Sequence, residues 1–226
     1  MNRTPAPPRH THWLALTVLA LALGACTTTD PASRPATRST SDFPSADAER
    51  YGVISNEPFP VPAVTMEDLK PRYMRKFVDN PTGQPPGTIV VDPKNHFLYL
   101  VQENGKALRY GVGVGSEGMA WSGTAQVQIK REWPSWTPTK NMIAREPKKY
   151  AKWASGMEGG AQNPLGARAL YLFKNGKDTL YRIHGTNEPW SIGESMSSGC
   201  IRMMNQDVID LYRRIPSGTK VVVLPG

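Results

Sequence analysis

A mostly β domain with one or two short helices is the fold class the sequence predicts, and three observations predict it. Apolar, β-branched runs are short and repeatedly interrupted. Two Asn-Gly pairs stand between such runs, which is the signal of a tight hairpin. With 20 Gly and 21 Pro in 226 residues, turns are plentiful and long helices have little room.

Each element follows from its residues. Residues 88–92 (TIVVD) and 96–101 (HFLYLV) read as strands. Asn104-Gly105 then turns the chain, and residues 108–114 return as the partner strand. The same grammar recurs at residues 169–173 (ALYLF), Asn175-Gly176, and residues 179–183 (TLYRI) running into His184. Upstream, Thr65 is placed to cap a short helix that Pro71 stops. Near the end, Asn205 is read as the cap of a helix carrying Val208, Leu211, Tyr212 and Ile215 on one face. Pro216 and Gly218 end it, and residues 220–224 (KVVVL) form the last strand.

The chain divides by composition. Residues 1–25 have a basic start, a short apolar core and small residues at the end, which is the pattern of a secretory signal. Leu23-Gly24-Ala25-Cys26 resembles the lipobox of bacterial lipoproteins, with Cys26 the acylated residue. That resemblance implies a lipid anchor in a membrane, and Thr27 after the cysteine favours the outer one. Residues 26–50, rich in Thr, Ser, Pro and Ala, read as a disordered tether of a periplasmic protein. Residues 51–86 are an N-terminal extension, and residues 87–226 the main domain.

Charge narrows the partners. The formal net charge is +8, and losing Arg3 and Arg9 with the first 25 residues lowers it to +6. The basic residues are scattered, with no run longer than a pair such as Lys148-Lys149, so nucleic acid is not the expected partner. A weakly anionic polymer or membrane surface fits, and so does charge that merely keeps the domain soluble.

The candidate site emerges by elimination. With Cys26 acylated, Cys200 is the one remaining thiol. Extracytoplasmic thiols are usually paired, so an unpaired one suggests chemistry. A thiol nucleophile needs a base or a positive field. His96 sits in a predicted turn and reads as solvent-exposed. His184 ends a strand 16 positions before Cys200, and a loop can bring the two together. An imidazolium there would lower the thiol's pKa. Ser197, Ser198 and Gly199 precede the thiol with small side chains, so backbone amides can approach a reacting carbonyl. Arg202 can grip a substrate carboxylate. Singly, Cys200 is equally a buried apolar thiol and Arg202 a surface charge; jointly they favour a covalent site. His184 and Cys200 cannot make a four-ligand site and no CxxC exists, so neither metal nor other cofactor is expected. The aromatic stretch at residues 133–138 (WPSWTP) lines a groove or packs over the sheet.

His184-Gly185-Thr186, Ser191-Ile192-Gly193 and residues 197–203 (SSGCIRM) with Asn205 resemble the signature of the L,D-transpeptidase family with its YkuD-type catalytic domain. Gly115, Gly123-Thr124 and residues 163–166 (NPLG) are similar to its other landmarks. The family pattern has Ser-His-Gly-Cys where this chain has Ser197-Ser198-Gly199-Cys200. The resemblance implies a β-sandwich catalytic domain. It implies Cys200 as nucleophile, His184 as base, and the Gly185 carbonyl orienting His184. It also implies peptidoglycan stem peptides as substrates and carbapenems as inhibitors. The product it implies is a 3–3 cross-link or, with an outer-membrane protein as acceptor, a protein–wall link. An L,D-carboxypeptidase or cross-link hydrolase of the same fold, and a non-catalytic wall-binding tether, remain the alternatives.

Overall fold

Nine strands hydrogen-bond into one sheet, and the way its ends meet decides where the site lies. The computed structural model describes residues 49–115, 121–197 and 199–226. Within them the strands are β1 (Lys76–Asp79), β2 (Ile89–Asp92), β3 (Phe97–Val101), β4 (Lys106–Gly111), β5 (Val114–Gly115), β6 (Gly123–Glu132), β7 (Arg168–Lys174), β8 (Lys177–His184), β9 (Ser195–Ser197), β10 (Ile201–Arg202) and β11 (Lys220–Val223). The α-helices are α1 (Lys140–Arg145), α2 (Pro147–Tyr150) and α3 (Asn205–Arg214). The large sheet runs β1-β4-β3-β2-β11-β6-β7-β8-β10, and β5 pairs separately with β9. The mostly β expectation therefore holds, and among the described residues α3 is the one helix longer than two turns.

Local chemistry explains the hairpins. Asn104 and Gly105 have φ of 58° and 67°, and Asn175 and Gly176 have 51° and 72°. Two consecutive left-handed residues match the right-handed twist of the flanking strands. β3 is buried along its whole length because both its faces are covered. Leu98 and Leu100 enter the main core, which also takes Ile89, Val91, Leu172, Ile183, Val221 and, from α3, Val208 and Leu211. Phe97, Tyr99 and Val101 face the other way, against Val90, Ala107, Tyr73 and Val78.

The sheet closes on itself at its two ends. β4 stands second in the strand order and β10 last, yet just past β4 the Gly113 amide donates to the Arg202 carbonyl at 2.9 Å. The Arg202 amide returns to the Gly113 carbonyl at 2.8 Å. The large sheet of the expected β domain is therefore curled, and residues 200–202 lie at its seam.

The extension differs most from expectation. It supplies a strand, β1, paired antiparallel with β4, and it straps α3 from outside the core. Gln206 Nε2 donates to the carbonyls of Gly52 and Pro62 at 3.1 and 2.9 Å. Tyr51 Oη donates to the buried Asp207 at 3.2 Å, and Arg75 Nη1 meets Asp210 at 2.6 Å. The short helix expected after Thr65 is only a turn. The Thr65 hydroxyl accepts the Asp68 amide at 3.2 Å and Leu69 N reaches the Thr65 carbonyl at 2.9 Å, but Pro71 begins a separate 3-10 turn, Pro71–Tyr73. β6 was not expected either.

Candidate active site

β8 delivers His184 at its end, and β10 runs parallel beside it, with Arg202 opposite His184 and Ile201 opposite Ile183. Ile183 and Ile201 are core residues. Side chains alternate along extended chain, so Arg182, His184, Cys200 and Arg202 share the other face. His184 is 4% exposed, and Cys200 is half-buried. Gly199 is buried and has φ of 121°, a backbone state that side-chain-bearing residues rarely adopt.

His184 Nδ1 lies 2.5 Å from the Gly185 carbonyl oxygen. A carbonyl only accepts, so Nδ1 carries the hydrogen and Nε2 presents its lone pair. Burial pushes the imidazole down to about 4. The Gly185 carbonyl favours the charged ring, while the charges of Arg202 and Arg182 oppose it. The Cys200 thiol is pushed above its ordinary value, by burial first. The Arg182 backbone amide and the two guanidinium charges pull it part of the way back. The resting state is a neutral thiol with a neutral imidazole. The thiol pKa, expected to be lowered by an adjacent imidazolium, is instead raised, because burial is the largest influence on it.

The two arginines on this face are held differently. Arg182 grips Asp178 with both nitrogens at 2.7 Å and lies over the Tyr171 ring at 4.2 Å. Arg202 reaches Glu188 through a single contact of 3.4 Å. The sequence reading missed Arg182 and Glu188. Alternation from His184 places Arg182 on the site face, whereas no spacing rule reveals Glu188.

The loop from His184 to Cys200 is clamped on both flanks. Asn205 does not cap α3; Met204 occupies that position and makes no side-chain bond. Asn205 Oδ1 instead accepts the Ala167 amide, and its Nδ2 donates to the Thr186 carbonyl, both at 2.9 Å. A side chain on Gly185 would collide with Asn205 Oδ1, and one on Gly193 with the Tyr73 ring. His96 is not a free turn residue. It holds φ of 60°, and its Nε2 lies 3.0 Å from Ser195 Oγ, tying β3 to β9. Ser197 lies on β9 with its backbone paired to Gly115. Ser198 and Cys26 lie outside the described residues, as do the signal segment and all of the tether but Glu49 and Arg50. The first residue of the aromatic stretch is packed by the extension. Trp133 Nε1 donates to Glu57 at 3.0 Å, and its ring meets Phe59 at 5.1 Å.

Comparison with known proteins places the domain in a family. The family model YkuD, the L,D-transpeptidase catalytic domain, matches residues 86–223. An Escherichia coli protein named "Probable L,D-transpeptidase ErfK/SrfK" is 33% identical over 141 residues, covering 60% of this chain and 43% of that protein. A second from Escherichia coli, "Probable L,D-transpeptidase YbiS", is 31% identical over 139 residues with the same coverage. The chain thus aligns with less than half the length of these curated relatives. A crystal structure from Brucella melitensis, described as a "Probable carnitine operon oxidoreductase caia", is 53% identical, covering 70% of this chain and 98% of that one, with a TM-score of 0.48. The family match takes in β2 to β11, with His184, Cys200 and Arg202 inside it, and the chain belongs to the L,D-transpeptidase catalytic domain family.

Proposed function

We propose that this protein is a cysteine acyltransferase acting on tetrapeptide stems of peptidoglycan. The observation that carries the reading is the His184 Nδ1 contact with the Gly185 carbonyl at 2.5 Å. It leaves Nε2 as a base on the face that Cys200 shares. His184 Nε2 takes the thiol proton as Cys200 Sγ attacks the carbonyl carbon of the third stem residue, a diamino acid. Backbone amides of the turn through Gly199 and Cys200 hold the oxyanion. The C–N bond breaks, the proton on Nε2 passes to the departing D-alanine amine, and a thioester remains. An acceptor amine then attacks the thioester. His184 removes the amine's proton, and the thiolate is released and reprotonated. With a stem side chain as acceptor the product is a 3–3 cross-link; with an outer-membrane protein it is a protein–wall link; water would give a carboxypeptidase.

The low pKa of His184 fits this sequence of events. A strongly acidic imidazolium returns its proton readily to the leaving amine. Arg202 anchors a donor carboxylate. We place the protein in the periplasm with Cys26 lipidated and seated in the outer membrane, on the strength of Leu23-Gly24-Ala25-Cys26. The test is mass spectrometry of purified sacculi incubated with the chain, scoring 3–3 dimers, tripeptides and protein-linked stems. No D-alanine release from tetrapeptide stems would overturn the reading.

A further inference from the structure

Two arginines face Cys200 and His184, and only one is open to a ligand. Arg182 is saturated by the bidentate Asp178 pair at 2.7 Å. Arg202 has a single carboxylate contact, to Glu188 Oε2 at 3.4 Å, well beyond the 2.7–2.9 Å of a strong charge-assisted bond. Both backbones are fixed. The Glu188 amide donates to Thr186 Oγ1 at 3.0 Å, and the Glu188 carbonyl accepts from Ser191 Oγ at 2.6 Å. Arg202 is pinned through its amide and carbonyl to Gly113. The side chains alone are free to part, and that of Glu188 is 38% exposed.

We propose that Glu188 is a placeholder for the donor's carboxylate. It keeps the Arg202 guanidinium aimed across the site while no donor is present, and the donor must displace it to bind. Glu188 is thus a positioning residue that acts through Arg202: a stem with a free carboxylate has to compete with it, whereas an amidated stem makes no use of Arg202 and leaves the pair in place. The exchange replaces one carboxylate on Arg202 with another, so the field at His184 is conserved and chemistry at saturation is unaffected. This rests on the proposed role of Arg202 in donor binding.

The test measures binding on the inactive Cys200→Ala background by calorimetry, with a free-carboxylate tetrapeptide stem and the same stem amidated. Glu188→Gln should tighten the free-carboxylate stem roughly two- to fivefold, the range an exposed pair allows, and leave the amidated stem unchanged. Arg202→Ala should weaken the free-carboxylate stem, and adding Glu188→Gln to it should change nothing more. With Cys200 intact, Glu188→Gln should lower KM by the same factor at constant kcat. Weaker or unaltered binding of the free-carboxylate stem by Glu188→Gln overturns the proposal, as does a free-carboxylate stem that does not bind at all. If the binding pattern holds while the active-site-intact chain releases no D-alanine, the proposed reaction fails and the placeholder stands.

Discussion

Alkylation of Cys200 across pH, with and without His184, tests whether the site rests as a neutral pair. Burial lowers the imidazole to about 4 and raises the thiol above its ordinary value. Both shifts oppose moving the thiol proton to the ring, so the neutral pair is the favoured resting form. Iodoacetamide reacts with thiolate, and intact mass reports the rate. The wild-type rate should still climb on the alkaline side, and the His184→Ala profile should overlay it, because a neutral ring gives the thiolate little support. Turnover should separate the two proteins: loss of the general base should slow it roughly 10²–10⁴-fold. The acid limb of wild-type turnover should fall near about 4 rather than at the ordinary 6.5. A wild-type alkylation inflection below about 8.5 that disappears in His184→Ala would refute the neutral pair.

Cys200→Ala should abolish turnover with its thermal unfolding unchanged, and a carbapenem should leave one adduct by intact mass on wild type and none on the variant; product formation or an adduct in the variant sinks Cys200 as nucleophile. Cys26→Ser should release the protein from membranes without altering the activity of the domain, and persistent membrane association would count against lipidation. Stability should vary little with pH between about 4 and 7, because two buried groups oppose each other. His184, lowered to about 4 from 6.5, contributes stability present above 6.5 and lost as pH falls through its folded value; Asp207, raised to about 7 from 3.8 by burial, contributes stability present below 3.8 and lost as pH rises. Asp207→Asn should therefore expose a urea midpoint that drops as the solution is acidified, and a wild type with the same slope would contradict the cancellation.

The elements legible in the sequence were those with strong local codes. Asn-Gly pairs fixed two hairpins, and the apolar face of α3 announced itself through Val208, Leu211 and Ile215. Cys200, the glycine before it and the strand-ending His184 are the candidate residues the sequence offers, and the pairing of β8 with β10 brings their segments side by side. What stayed hidden depended on partners far away in the chain. β6 alternates Ala125 and Val127 inward against polar neighbours, but its register slips between Val127 and Ile129, which breaks the two-residue period. Asn205 has the composition of a cap, and only the approach of residues 167 and 186 shows that it is a clamp. Burial, which reverses the expected thiol pKa, has no local signature at all.

The extension shows why the site cannot be assigned to residues 87–226 alone. Three of its buried side chains, Tyr51, Leu69 and Met74, are spaced without helical or strand period, yet they pack with Ile192 and Met204 in one cluster. Ile192 lies in the loop before Cys200 and Met204 in the turn after it. Lys70 adds an ion pair to Glu194 at 2.7 Å, and the Tyr73 ring fills the space over Gly193. The same segment thus braces the loop carrying Cys200 from both sides and, through Tyr51 and Arg75, the helix that follows it. A nucleophile must be held to within a fraction of an ångström. β10 is only two residues long, so its own ladder is too short to supply that rigidity. The strap supplies it from outside the sheet, and the seam at Gly113 and Arg202 supplies it from within.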